Sequence, residues 1–318
     1  MPMVMFVARR LLSMLGILLA VSLLVFGLLA LAPGDPAATL VGGPMKASPE
    51  AIAQVRATYH LDEPLLTQYW YWLQGVMRFD FGRSISSQLP VGDAIGERFP
   101  ITVALAVYSF IITVVIAIPL GLAAGVRRGT RLDRTVTAGS LVGFAAPVFA
   151  LAVFLISVFA VQLGWFPVYG PGKGAIDRIY HLTLPAIALA VGQIAIISRQ
   201  TRAATMDVAT QDYVTFARVR AVPARSVWGG YVLRNAALPV ITISGLVLAF
   251  SLTGAVLVEQ AFALPGLGTL LVSSVNALDI PVIQAITLLT AFVILSFNLI
   301  IDVTYFALDP RLRRGVGA

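Results

Sequence analysis

The residues that could do chemistry in this 318-residue chain are few, and their spacing suits none of the common reactions. Gly170-Pro171-Gly172-Lys173-Gly174 has glycines and a lysine but neither the spacing nor the hydroxyl of a P-loop, so no nucleotide site is expected there. The two histidines, His60 and His181, lie far apart, and no His-Glu-x-x-His or other metal-ligand spacing is present. With no cysteine there is neither a disulfide framework nor thiol chemistry. An intramembrane serine protease would need a buried histidine. The apolar runs hold Ser109, Ser157 and Ser251 but no histidine. Ion-coupled transport depends on ionisable groups inside the spans. The nearest is Asp302, beside Asn298, which reads as a helix-terminal carboxylate close to Arg311 or Arg313. These exclusions predict a chain that is not an enzyme and binds neither metal nor cofactor itself. What remains is docking chemistry. A polar, Arg-rich insert from Asp207 to Asn235 stands between long apolar runs and offers a surface to a partner.

The surrounding elements are membrane spans. At 58% hydrophobic, 12% charged and a mean hydropathy of +0.90, the chain departs from the globular norm of about 25% charged residues. A bilayer's hydrocarbon core takes roughly 20 apolar residues per helix. Six uncharged windows meet or approach that: Leu11–Leu31, Ile101–Val126, Thr135–Phe166, Leu182–Ile197, Leu238–Val258 and Ile280–Ile301. Their continuous rather than alternating character favours helices over a barrel. The expected fold is an all-α integral membrane protein of about six transmembrane helices. Leu11–Leu31 is too long for a signal peptide, and Pro33-Gly34-Asp35-Pro36 is a poor cleavage site, so the first span is expected to stay.

The net charge of +7 is topological. Arg9, Arg10, Arg127, Arg128, Arg131, Arg134, Arg199, Arg202, Arg218, Arg220, Arg225, Arg234, Arg311, Arg313 and Arg314 all fall on one side if both ends are cytoplasmic. The loop Glu259 to Asp279 carries no basic residue. This is the positive-inside bias, and it argues against nucleic acid as a partner. Four regions follow: a first span over 1–32, an external helical segment over 33–98, a five-helix core over 99–306 containing the polar loop 203–235, and a cytoplasmic tail over 307–318.

In the external segment, Ser48-Pro49-Glu50 starts one helix. A second is expected from Pro64 to Met77, with Leu65, Leu66, Tyr69, Trp70, Leu73 and Val76 on one face. This layer either packs on the bilayer and its own helices or meets an external partner. The loop Glu259–Pro281, with Pro265-Gly266-Leu267-Gly268, reads as a tight turn into a short re-entrant or surface-lying helix. In the insert, a helix over Gln211–Arg220 puts Tyr213, Phe216, Ala217 and Arg220 on one side. Pro223 then opens a second helix through Trp228. Two short helices of this kind suit a groove on a soluble partner or anionic head groups.

Asp212-Tyr213-Val214, Ala217-Arg218, Leu233-Arg234-Asn235-Ala236 and Leu238-Pro239 resemble the cytoplasmic coupling loop of bacterial ABC-type permeases. The likeness is to the first permease of the dipeptide, oligopeptide and nickel importers. Ala8-Arg9-Arg10, Leu61-Asp62, Pro119-Leu120-Gly121, Arg127-Arg128-Gly129, Val258-Glu259 and Leu308-Asp309-Pro310-Arg311 extend it over nearly the whole chain. It implies a bacterial cell-membrane heterodimer with a second permease, two cytoplasmic ATPase subunits that use ATP and Mg, and an extracytoplasmic substrate-binding protein. It also implies ATPase coupling through Asp212, Tyr213, Phe216, Ala217, Arg218, Arg220 and Ala221. Arg234, Asn235 and Pro239 would support that loop. Glu259, Phe262, Pro265, Gly266 and Gly268 would meet the binding protein. The implied cargo is short peptides, with nickel, glutathione or another small solute as alternatives. A self-contained carrier and a non-transporting scaffold are readings from other classes.

The chain departs from the family at two places. Val219-Arg220-Ala221 stands where Ala-Lys-Gly is usual, and Phe79-Asp80-Phe81-Gly82 where Gly-Asp-Leu-Gly is usual. Alanine is strained at φ > 0. The expectation is therefore a re-shaped turn that keeps Ala221 out of left-handed geometry.

Overall fold

The computed structural model describes residues 3–30, 37, 48–58 and 62–308. Pro33–Pro36, His60, Leu61 and the tail from Asp309, including Asp309-Pro310-Arg311, lie outside the described residues. The helices are α1 (Met3–Ala30), α2 (Pro49–Thr58), α3 (Leu65–Met77), α4 (Val91–Val126), α5 (Arg131–Ala145), α6 (Val148–Leu155), α7 (Gly174–Ala209), α8 (Asp212–Val219), α9 (Arg234–Ala261), α10 (Leu267–Asn276) and α11 (Ile280–Leu308). A wide π turn, Ile156–Gln162, continues α6, and Ala224–Ser226 with a second π turn, Val227–Leu233, leads into α9. Among the described residues, five helices are long and apolar enough to cross a membrane, or six if one bent pair is taken as a single span.

The third expected span is not one straight helix. Arg131–Ala145 and Val148–Gln162 meet at 98°. The break lies at Pro147, whose ring pushes the preceding residue out of helical geometry; Ala146 takes ψ 121°. Pro185 and Pro239 are carried inside α7 and α9 without interruption.

The chain divides into two compact units. One comprises Met1–Val7, Thr102–Leu264 and Ser296–Ala318; the other comprises Ala8–Ile101 and Pro265–Leu295.

In the first unit α7 is the central element, buried along much of its length. Ile197 and Ala204 of α7 pack with Ala117 of α4 and Ala236, Val240 and Val247 of α9. Gly121 and Gly125, one turn apart on α4, allow its backbone to lie against α7. A Cβ on Gly121 would come 2.5 Å from the Ser198 carbonyl oxygen, and one on Gly125 would come 2.7 Å from Thr205 Cβ. Small residues permit such close crossings in membranes. A buried hydrogen-bond chain joins the same three helices. Thr113 Oγ1 donates to Gln193 Oε1 at 3.0 Å, and Gln193 Nε2 donates to Ser251 Oγ at 2.8 Å. Nearer the arginine-rich turn, Arg202 of α7 grips Asp133 of α5 with two guanidinium nitrogens, Nη2 to Oδ2 being 2.9 Å. The Gly129 amide also donates to that carboxylate, at 2.9 Å.

In the second unit, Ser22 of α1 and Tyr69 of α3 share a hydrogen bond at 2.7 Å, and the Phe26 ring meets Tyr69 and Trp72. This rotates α3 relative to the expected face. Tyr69, Trp72, Leu73 and Val76 are half-buried, whereas Leu65, Leu66 and Trp70 are exposed. Val91, Leu270, Val282, Ala285 and Ile286 form the apolar core of this unit.

Beside that core the Asp279 carboxylate is fully buried. It accepts from Ser84 Oγ (2.5 Å), Ile85 N (3.0 Å), Ser86 N (3.1 Å) and Ser86 Oγ (2.8 Å). Burial pushes the Asp279 carboxyl up, but the four donors together outweigh it and hold the group below its ordinary value. A lowered folded pKa gives stability that is complete above the ordinary carboxylate range and lost as pH falls from there through the lowered value. Asp279→Asn is therefore expected to lower the thermal midpoint at pH 7 and to flatten its decline below about pH 4. Melting curves from pH 3 to 8 check this; parallel curves for both proteins would remove Asp279 as the source.

Candidate functional site

The insert folds as a small module with its own core. Asp212 sits in the first turn of α8 and Arg218 in the last, the order that complements the helix dipole. Val214 and Ala217, spaced i, i+3, turn inward and pack with Val227 and Val232; Val208, Val222 and Trp228 close the edges. The Arg218 guanidinium lies 5.0 Å from the Trp228 ring centroid, a cation–π contact worth about 0.5–1 kcal/mol on a surface. The opposite face of α8 is exposed: Tyr213 at 41%, Phe216 at 67% and Val219 at 79%. Asp212 and Arg220 are exposed beside them. The expected grouping is thus split. Tyr213, Phe216 and Arg220 share an outer surface, while Ala217 belongs to the module's interior.

Ala221 overturns the expectation of a re-shaped turn. Its φ is 52°, in the left-handed region. The reason is the way α8 ends. Ala221 N donates to Arg218 O at 2.9 Å and Val222 N to Ala217 O at 3.1 Å, the paired bonds of a Schellman motif. Val222 and Ala217 also meet in the apolar core, the contact that usually accompanies it. Two hydrogen bonds and this contact offset a strain of about 1–2 kcal/mol. The chain repeats the device with Phe79 (φ 60°), Ala263 (φ 48°) and Leu278 (φ 54°), each one residue past a helix cap with the same bond pair. Ala221→Gly is expected to raise stability by about 0.5–1 kcal/mol, net of the freedom glycine adds to the unfolded chain. A thermal midpoint unchanged or lowered by that substitution would contradict the assignment of strain.

Pro223 opens the next helical segment as expected, but that segment does not stop at Trp228. Ala224–Ser226 and the π turn run directly into α9. Arg234 and Asn235 are exposed at that junction, and Asn235 Nδ2 donates to Tyr231 O at 2.6 Å. Pro239 lies inside α9 and is exposed.

The second group of expected contact residues is largely interior. Glu259 is fully buried and accepts from Thr102 Oγ1 at 2.6 Å. Phe262, Gly266 and Gly268 are also buried; Pro265 is exposed. Gly266 caps α10, with Thr269 Oγ1 accepting from its amide at 3.1 Å. The loop does contain the expected short helix, Leu267–Asn276. Among the described residues no three His, Cys, Asp or Glu side chains gather as metal ligands. His181 Nδ1 lies 3.0 Å from Gly170 O, with Asp177 3.6 Å from its other nitrogen.

Sequence reading missed the Arg202–Asp133 pair and the Gln193 chain. Thr130, three residues before Asp133, was a legible capping signal; Gln193 inside an apolar run was the other.

Comparison with known proteins adds three findings. Residues 117–314 match the family described as binding-protein-dependent transport system inner membrane component, and residues 3–106 match its N-terminal counterpart. The chain is 38% identical over 310 residues to a protein of Brucella abortus named as a candidate peptide transport system permease, covering 96% of this chain and 98% of that one. It is 40% identical over 308 residues to the glutathione transport system permease protein GsiC of Shigella flexneri, covering 97% and 98%. In fold it is similar to a chain of the MetNI methionine ABC transporter in an inward-facing conformation. The TM-score is 0.57 at 18% identity, covering 68% of this chain and 96% of that one.

Proposed function

Because the chain belongs to the family of binding-protein-dependent transport system inner membrane components, we propose that it is one of two permease subunits of an ATP-driven importer of short peptides. The observation that carries the coupling role is the α8 face. Tyr213, Phe216 and Val219 are held outward by a buried Val214–Ala217–Val227–Val232 core. An exposed apolar surface of this kind on a polar loop marks an interaction site, and helix-in-groove docking is the mode it suits.

In this reading the loop and both chain ends are cytoplasmic, and α8 seats on an ATPase subunit. Two such subunits hydrolyse ATP with Mg, and this chain itself is non-catalytic. Closure of the ATPase pair moves α8, and the continuous segment Ala224–Ala261 carries that movement into the bilayer. A second permease completes the passage, and an extracytoplasmic binding protein delivers the solute. The peptide cargo rests on the names of the relatives. Of the five residues expected to meet the binding protein, Pro265 is the exposed one, and the buried Glu259, Phe262, Gly266 and Gly268 shape the loop from inside.

Co-purification tests the assembly. The tagged chain, solubilised mildly from its host membrane, is expected to bring down a second permease and P-loop ATPases. Recovery of the chain alone, from an extract in which another membrane complex stays intact, would overturn the reading.

A further inference from the structure

The faces that the apolar helices leave uncovered differ in chemistry. In the window Ile101–Val126 of α4, Thr102, Ser109 and Thr113 all turn inward and are buried. The exposed positions there, such as Val107, Ile111 and Val115, are purely aliphatic. Such a surface suits hydrocarbon. α9 behaves otherwise. Its packed face carries Val240, Val247, Ser251, Ala255 and Val258. Its exposed face reads Thr242, Leu246, Phe250, Thr253, Leu257, Gln260, a stripe at helical spacing. Thr242 Oγ1 donates to Leu238 O at 3.0 Å, yet its oxygen, the Thr253 hydroxyl and the Gln260 amide all lie on the uncovered side. Thr242 and Thr253 lie about 6 and 22 Å along the helix from Leu238, within a hydrocarbon core of about 30 Å, and Gln260, at about 33 Å, lies at its margin. Polar groups at that depth belong against a water-filled cavity or a bundle interior, since hydrocarbon leaves them unsatisfied.

We propose that this stripe of α9 is the chain's contribution to the aqueous passage, and that it receives an amide-bearing solute. The inference rests on the importer reading and supplies the wall that reading needs. Hydroxyls and an amide offer donors and acceptors to peptide N–H and C=O groups, and Leu246, Phe250 and Leu257 offer apolar surface to side chains. The stripe is uncharged, so it holds no carboxylate or imidazole that would replace the hydration shell of a divalent cation. Hydrogen bonding loose enough to release matches a conduit rather than a store.

The absence of cysteine from the chain makes the test direct. Thr242→Cys, Phe250→Cys and Thr253→Cys are compared with Ile111→Cys and Val115→Cys in vesicles carrying the full transporter. The probe is a membrane-impermeant trimethylammonium methanethiosulfonate. The two threonine changes are nearly isosteric, so they report even where Phe250→Cys folds poorly. A thiol reacts as thiolate, which forms in water and is suppressed in lipid. The α9 positions are expected to be labelled at least roughly tenfold faster than the α4 positions. Equal rates would overturn the passage assignment, whether lipid or a packed second subunit covers the stripe. ATP is then added with the probe. A labelling contrast that stays intact but is indifferent to ATP would defeat the importer reading while leaving the water-lined face standing.

Discussion

Uptake by a Tyr213→Ala, Arg218→Glu double variant is expected to fall to background while the protein still inserts at its normal level. Tyr213 is part of the outward face of α8, and Arg218 covers the Trp228 ring at the end of the same helix. Truncating an aromatic anchor at the centre of a docked surface costs about 2–4 kcal/mol of binding, roughly 30- to 1000-fold in affinity. Reversing the charge of Arg218 removes the cation–π contact and places a carboxylate over the indole face. Neither change touches Val214, Val227 or Val232, so the module's own core is retained. Membrane insertion, co-purification of the ATPase and solute uptake should therefore separate, with the first intact and the other two lost. Full uptake by the double variant would remove α8 as the coupling element.

The second large effect concerns stability. Arg202→Met is expected to destabilise the first unit by about 3 kcal/mol, because Asp133 is buried and loses its bidentate partner. Asp133→Leu alone should cost less, since the Arg202 side chain is a quarter exposed and its charge can reach water. The double variant Asp133→Leu, Arg202→Met should recover much of the loss, because no uncompensated charge remains. Thermal midpoints of the detergent-solubilised proteins measure all three. Additive losses in the double variant would show that the two side chains act independently and that the pair is not what joins α5 to α7.

The membrane architecture was legible because apolar run length and the absence of charge are local properties. Every expected window contains helix, and the polar insert stands where composition put it. What escaped depends on distant neighbours. Pro147, Pro185 and Pro239 look alike in sequence, yet one breaks its helix and two are carried within theirs. Glu259 reads as a loop carboxylate until Thr102, far away in sequence, is seen beside it. Ala221 and Phe79 escaped for another reason. Glycine is the usual sign of a left-handed helix end, but here the paired bonds fix that geometry for alanine, leucine and phenylalanine as well. In α8 the pattern placed Tyr213 and Phe216 correctly together. It could not show that Ala217 faces the other way, because the partner layer, Val227 and Val232, comes from the segment leading into α9.

The unbroken run from Ala224 to Ala261 has a mechanical meaning. Its 38 residues make a rod about 57 Å long, nearly twice the thickness of the hydrocarbon it crosses. A rod of that length amplifies rotation. Tilting it by about 5° about its Ala224 end carries its Ala261 end about 5 Å, the rise of a whole helical turn. The π turn at Val227–Leu233 and the missing amide at Pro239 soften the rod near its Ala224 end. Bending is therefore concentrated beside the α8 module, and the remaining length swings as one arm.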